Sequence, residues 1–484
     1  MFEALPAKGV PGEQILAELR ALREHDLPTH GGRLFAYVYD PALDGLDDLA
    51  HAAHAISASV NGLDPTAFPS LLAMENALVA AAAGLLGGGP ETVGSVTGGG
   101  TESLILAVKA ARDSRPDLPA PRIVVPSTAH AAFAKAAHYL RVALDVVPVG
   151  ADLRADPAAT AHAIGADTVL VVGSAPSYAH GVVDPIPQLS AVAAERGVRC
   201  HVDACFGGWI LPYLRRLGAG LPAFDLAVPG VTSISVDLHK YAYAPKGVSV
   251  LLHRDEALRR PQYFAYADWP GYPMVNSVIS STRSGGPIAA AAATLRSIGD
   301  AGYLRLAEQT REAVVTLAGA VSAIEGVRLF APPETSVVCL ASDGVDLFVL
   351  ADELAARGWH TQPQMAYGDL PATIHLTVTA AVQPTAGAFA ADLADAVAAA
   401  RQRGPVQLPA ELLGAAAALT PQQVTPDLVA GLAAGLGLDG AGFDRMAAVN
   451  TLLDAAPPAL REALLTGFLS MLQRPAPGTG PAGE

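Results

Sequence analysis

Several short stretches of the chain hold residues whose types and spacing can do chemistry. In "SISVDLHKYAYAPKGVSVLLHR", residues 233–254, His239 and Lys240 close an apolar, β-branched run, and a second such run starts soon after. A lysine at that turn is rarely needed for packing, and its amine, once deprotonated, is a nucleophile for carbonyl carbon. "RCHVDACFGGW" sets Asp203 at the end of another apolar run, where a carboxylate is costly unless it meets a cation. "SVTGGGTES" leads into the amphipathic "TESLILAVKAAR". There Gly98, Gly99 and Gly100 allow close backbone approach, and the helix N-terminus with the Thr101 hydroxyl makes a cradle for an anion. "VPSTAHAAFAKAAH" places His130, and "GSAPSYAHGVVDPI" places Ser174, just past two further runs. Taken singly, each also has a plain structural reading: a turn glycine, a helix-capping or paired Asp, a packed His, a turn hydroxyl.

Strands must position these residues. From residue 91 onward, β-rich runs ("RIVVP", "LDVVPV", "TVLVVGSA", "GVRCHVDA", "LAVPGVTSISVD", "GVSVLLHR") alternate with helical ones such as "PQLSAVAAERG". The alternation predicts an α/β fold with a large, mostly parallel, buried sheet, in which ligands collect at the carboxyl ends of strands. Residues 1–90 read as an N-terminal arm and helices, 91–303 as the large α/β domain and 304–403 as a smaller C-terminal α/β domain. The segment 404–484 reads as a helical extension whose end, "RPAPGTGPAGE", is expected to be disordered.

Composition narrows the function classes. With 484 residues, 51% of them hydrophobic, the chain has enough apolar surface for large cores. A net charge of −15 argues against a non-specific nucleic-acid binder. Cys200, Cys205 and Cys339 are too few and too scattered for a disulfide framework or a structural zinc site, which fits a reducing cytoplasm. "MFEALPAKGVPGEQ" has no signal pattern, and "ALVAAAAGLLGGG" is too short and glycine-rich for a membrane span, so a cytoplasmic protein is expected. His51 and His54 in "HAAH" lack the HExxH context of a metal pair, and Asp47 and Asp48 suit the head of a helix through its dipole.

Within one α/β domain the ordered set of anion cradle, strand-end His, strand-end Asp and strand-end His-Lys meets the needs of pyridoxal 5'-phosphate. Its phosphate suits a helix N-terminus, its pyridinium nitrogen an anion, its ring a flat group, and its aldehyde a lysine for a Schiff base. Lys240 is the expected lysine, with burial beside other cationic groups lowering its pKa.

Over residues 31–400 the chain resembles the fold-type I pyridoxal-phosphate decarboxylase family, and within it the sphingosine-1-phosphate lyase branch. The resemblance rests on "TGGGTES", "STAHAAFAKAA", "GSAPSYAHGVVDPI", "HVDACFGGW", "SVDLHKYAYAPKG" and "STRSGGPIAAAAATL", in the family's order. It implies that Gly99, Gly100 and Thr101 hold the cofactor phosphate, supported by His239 beside Lys240. It implies that His130 stacks on the ring, that Ser174 lies near the ring hydroxyl and that Asp203 pairs with the ring nitrogen. It also implies a homodimer with its site at the subunit interface, where Ser281 and Thr282 of "SSTRSGG" reach the neighbouring subunit's cofactor. Tyr39, Tyr243 and Lys246 look like the lyase residues that bind a substrate phosphate. One departure stands out: Asn61-Gly62-Leu63-Asp64-Pro65 replaces the usual Asn-Pro-Leu-His-Pro. The Asp64 carboxylate is expected to neutralise Lys246 and to repel a phosphate.

Three function classes remain on this reading. The first is retro-aldol cleavage of a 2-amino-1-hydroxy compound, phosphorylated or not, to an aldehyde and an amine. The second is decarboxylation of an L-amino acid, and the third is a non-catalytic cofactor-binding protein, against which Lys240, Asp203 and His130 argue.

Overall fold

A computed structural model describes residues 5, 6, 8–408, 419–435 and 445–474. The end beyond Arg474, expected to be disordered, lies outside the described residues. Seven strands form the main sheet: β1 Val93–Thr97, β2 Arg122–Pro126, β3 Ala143–Val147, β4 Thr168–Ser174, β5 Arg199–Asp203, β6 Ser233–Asp237 and β7 Ser249–His253. Their order is β1-β7-β6-β5-β4-β2-β3. All run in one direction except β7, which pairs antiparallel with both β1 and β6. The expected mostly parallel α/β sheet is therefore present.

The central strands are buried on both faces, as near-continuous apolar runs require; every residue of β4, β6 and β7 is buried. Polar groups inside the sheet are satisfied locally. His201 on β5 lies between the Ser233 and Ser235 hydroxyls of β6, at 2.9 and 3.2 Å. Helix Gly100–Asp113 packs an apolar face, including Leu104, Ile105 and Val108, on the sheet. The "HAAH" histidines are accounted for in part by packing: a Cβ at Gly286 would meet the His54 ring at 2.6 Å. Among the described residues no helix is long and apolar enough to cross a membrane, and no group of three or more His, Cys, Asp or Glu is placed to hold a metal.

The chain divides into two compact units. One comprises His30–Ala341 and His375–Ala391 and contains the seven-stranded sheet; the other comprises Met1–Thr29, Ser342–Ile374 and Asp392–Glu484. In the latter, helices Pro426–Gly435, Ala447–Ala455 and Pro458–Leu472 share a small core of Val429, Leu453, Leu460 and Leu464. Asp352 accepts hydrogen bonds from the backbone N–H groups of Met446 and Ala447 at the head of the second of these helices.

Candidate active site

Because β1, β2, β4, β5 and β6 share one direction, their carboxyl ends lie along one edge of the sheet, and the chemistry-bearing residues follow them. Gly98, Gly99, Gly100, Thr101, His130, Ser174, Asp203, His239 and Lys240 line a single cleft of about 670 Å³, a size that suits a small-molecule ligand. Another cavity, about 750 Å³, is lined by Trp209, Tyr213, Arg215 and Arg216. Its arginines are already paired, with Asp225 and Asp300, so it offers no unpaired cation or nucleophile.

Lys240 follows β6 on the Leu238–Val248 connection. Its Nζ lies 2.9 Å from Oδ2 of Asp237 and 5.7 Å from the Phe206 ring centroid. Asp237 is the last residue of β6, and only 2% of its surface is exposed. The antiparallel register sets it opposite Ser249, whose hydroxyl donates to Oδ1 at 2.6 Å. Burial alone would lower the Lys240 pKa, but the ion pair with Asp237, with Cys205 and Asp203 beside it, outweighs burial and holds the pKa above the usual lysine value. The expected lowering is thereby corrected: the nearest charged group is an anion, not a cation. His239 donates through Nδ1 to the Val248 carbonyl at 3.0 Å, which leaves Nε2 facing Asp237 at 3.6 Å.

Gly99 and Gly100 begin helix Gly100–Asp113, and Glu102 accepts from the Gly98 N–H and the Ile279 N–H at 2.5 and 2.8 Å. A Cβ on Gly100 would lie 2.9 Å from both Asp237 carboxylate oxygens and from Cys205 Sγ. Asp203 ends β5, buried, with Oδ1 accepting from the Cys205 N–H at 3.1 Å. His130 follows β2, its Nδ1 accepting from the Ala132 N–H at 3.1 Å. The Ser174 hydroxyl at the end of β4 is buried without a hydrogen-bond partner among the described residues. An orphaned hydroxyl, a glycine-lined helix start, a buried carboxylate and a lysine in one cleft fit pyridoxal 5'-phosphate.

Other expected site residues fall elsewhere. Lys246 sits with Nζ 5.0 Å from the Tyr39 ring centroid and donates to the His239 carbonyl at 3.4 Å. Its side chain keeps solvent access, yet desolvation of the ammonium and then the charge of Lys240 lower its pKa to about 8. Burial, then Tyr178 and Asp237, raise the Tyr39 phenol well above its ordinary value. Tyr243 is not brought into the cleft. It adopts a φ of 59°, is buried, and has its hydroxyl hydrogen-bonded to Thr310 and the Ala380 backbone. Ile279 and Ser280 line the cleft of their own chain, whereas Ser281 and Thr282 are exposed outside it.

Asp64 also differs from expectation. Its exposed carboxylate accepts from the N–H and hydroxyl of Thr66 at 2.8 and 2.6 Å, and these bonds lower its pKa. Among the described residues Asp64 makes no ion pair, so Lys246 is not neutralised by it. The physical reason is local: an Asx-type turn satisfies the carboxylate within its own loop.

Among the cleft residues not singled out as site residues from the sequence are Asp237, Tyr178 and Phe206. Tyr178 stacks on His375, with centroids 4.6 Å apart, and meets Phe206 edge-on at 5.5 Å. The signal for Asp237 was present as a carboxylate three residues before the lysine, at the end of a β-patterned run.

This sheet, with a lysine-bearing cleft at its strand ends, defines a fold-type I pyridoxal-phosphate enzyme. The family model for the pyridoxal-dependent decarboxylase conserved domain matches residues 6–341, and a second model, for an HTH-type C-terminal domain of pyridoxal-dependent enzymes, matches residues 410–471. Sphingosine-1-phosphate lyase of Arabidopsis thaliana is 36% identical over 406 residues, covering 82% of this chain and 73% of that one. The enzyme of that name from Dictyostelium discoideum is 37% identical over 399 residues, covering 81% and 74%. The solved structure of sphingosine-1-phosphate lyase from Burkholderia pseudomallei superposes with a TM-score of 0.78 at 36% identity, covering 83% of this chain and 93% of that one. The chain belongs to the pyridoxal-dependent decarboxylase family. It is a pyridoxal-phosphate-dependent lyase, similar over most of its length to sphingosine-1-phosphate lyases.

Proposed function

We propose that the chain cleaves a phosphorylated amino alcohol of the kind named in its relatives, sphingosine 1-phosphate or a close analogue, by retro-aldol chemistry. The carbinol hydroxyl loses its proton and becomes an aldehyde carbonyl. The bond to the amine-bearing carbon breaks, and that carbon keeps the electron pair and takes up a proton to leave as the phosphorylated amine. The bound cofactor supplies the electron sink for that pair. Lys240 would hold the cofactor, Asp203 would pair with its ring nitrogen, and His130 and Ser174 would orient the ring. Gly99, Gly100, Thr101 and His239 hold its phosphate.

The observation that carries a phosphorylated substrate is Lys246. Its ammonium stands over Tyr39 beside the Lys240 loop and makes no ion pair among the described residues. A cation so placed is open to an anion, and Asp64, engaged with Thr66, does not compete for it.

A homodimer belongs to the same reading. It is supported by the exposed hairpin Phe264–Tyr266 and Met274–Asn276, where Phe264, Tyr266, Tyr272 and Val275 are about half exposed or more. Ser281 and Thr282, exposed just past the hairpin, are then free to reach the second subunit. A cytoplasmic location is supported by Cys200, Cys205 and Cys339, all buried and none in a disulfide.

The test is to incubate the purified holoenzyme with phosphorylated and unphosphorylated amino alcohols and with L-amino acids, assaying aldehyde and carbon dioxide. Aldehyde from the phosphorylated substrate is expected; carbon dioxide without aldehyde overturns the reading in favour of decarboxylation.

A further inference from the structure

Asp237 is the most deeply buried charged group of the cleft, and the strand register accounts for its orientation. Ser249, its antiparallel partner, engages Oδ1 at 2.6 Å, so Oδ2 is the oxygen that faces Lys240 at 2.9 Å and His239 at 3.6 Å. The start of helix Gly100–Asp113 closes over the same carboxylate, so closely that any Cβ at Gly100 would lie 2.9 Å from both its oxygens. A helix N-terminus stabilises an anion, and a carboxylate without water needs a fixed cation. Lys240 is that cation.

We propose that Asp237 is a positioning residue for Lys240: its buried carboxylate holds the lysine at the strand end and keeps a proton on Nζ until the amine is used. The inference rests on the reading of Lys240 as the cofactor lysine. It assigns the second cleft carboxylate a role distinct from that of Asp203, and it gives Gly100 a second reason to be glycine. Capture of an aldehyde needs the neutral amine: the ammonium first gives its proton to solvent, Nζ adds to the aldehyde carbon, the C–N double bond forms and the aldehyde oxygen leaves as water. Asp237 therefore sets the pH at which capture begins. The other groups that bear on the pair are Asp203 and Cys205 from the β5 end, His239 and Lys246 from its own loop, and Tyr39. Asp203 and Cys205 push the Lys240 proton the same way as Asp237, while Asp237 and Lys246 act on each other across the loop.

The test measures the pH midpoint of Lys240 in cofactor-free protein by competitive acetylation with acetic anhydride and peptide mass mapping. In the parent, Lys240 is expected to titrate above an ordinary lysine, roughly 10.4, and well above Lys246. This first arm needs no variant; a Lys240 midpoint below the ordinary value overturns the proposal. In Asp237→Asn the midpoint is expected to fall by roughly 1 to 3 in pH, while Asp237→Glu stays close to the parent. The rate at which the visible band appears on adding pyridoxal phosphate should shift to lower pH in step. An unchanged midpoint in Asp237→Asn overturns the proposal. Borohydride reduction and peptide mapping on the same samples separate the two readings: cofactor fixed on another lysine would remove Lys240 from its role, whereas cofactor on Lys240 with an unmoved midpoint would remove Asp237 alone.

Discussion

Lys240 and Lys246 lie six residues apart on the one connection between β6 and β7, and their surroundings drive them in opposite directions. Desolvation lowers both. At Lys240 an ion pair with Asp237, reinforced by Asp203 and Cys205, more than offsets it; at Lys246, which makes no ion pair among the described residues, the charge of Lys240 adds to the lowering and Asp237 opposes it only in part, leaving a pKa of about 8. The contrast teaches that burial does not decide the state of a lysine until the nearest anion is known. It also divides labour along the loop. The inner lysine has its charge answered by the protein and suits covalent work, while the outer one is left for a ligand to answer.

The sharpest way to break the comparison is to remove the inner lysine. Lys240→Ala is expected to abolish borohydride-stable attachment of the cofactor and to lower turnover on the order of 10⁵-fold or more, as loss of a covalent nucleophile does. Substantial residual attachment, located on Lys246, would mean that the roles of the two lysines are exchanged. Next in size is Asp203→Ala, which leaves the ring nitrogen without its anion. A loss of roughly a hundredfold or more in kcat is expected with cofactor still bound, read from steady-state rates beside the absorption spectrum. Near-parental turnover would show that Asp237, rather than Asp203, is the carboxylate that matters to the ring.

Lys246→Ala sharpens the other side. The ratio of kcat/KM for a phosphorylated to an unphosphorylated amino alcohol is expected to fall by about 1 to 2 kcal/mol, the lower part of the range for a charged hydrogen bond because the side chain keeps solvent access. The parent should show the same dependence with pH. Lys246 is cationic below about 8 and neutral above it, so KM for the phosphorylated substrate should rise as pH passes through about 8, while that for the unphosphorylated one does not follow. The smallest expected effect is that of Asp64→His, which should leave the phosphorylated-to-unphosphorylated ratio unchanged, because the Asp64 carboxylate is engaged by Thr66. A marked gain in phosphate preference would instead place Asp64 near a substrate phosphate.

Much of the cleft was legible before any coordinates. The strand-end positions of Ser174 and Asp203, the glycine run before an amphipathic helix and the His-Lys pair after an apolar run follow from local patterning, and the parallel sheet brings them together as expected. The surroundings of Tyr243 and Asp64 were not legible because their partners are set elsewhere. Tyr243 sits in the "KYAYAPKG" motif, but a left-handed backbone turn carries its ring to Thr310, far along the chain. Asp64 stands in a motif position, but Thr66 two residues on satisfies it first.

The sequence by itself determined the fold class and the row of strand ends beside which Lys240 falls, because strand periodicity and glycine placement are local properties that tolerate few alternatives. Only the tertiary structure decided the charge state of the site. That β7 alone runs against the sheet is what sets Ser249 opposite Asp237, and it is this pairing that turns a carboxylate toward Lys240. Electrostatic energies depend on distance and burial between residues that the sequence pattern leaves unpaired, so the sign of a lysine's pKa shift has to wait for the fold.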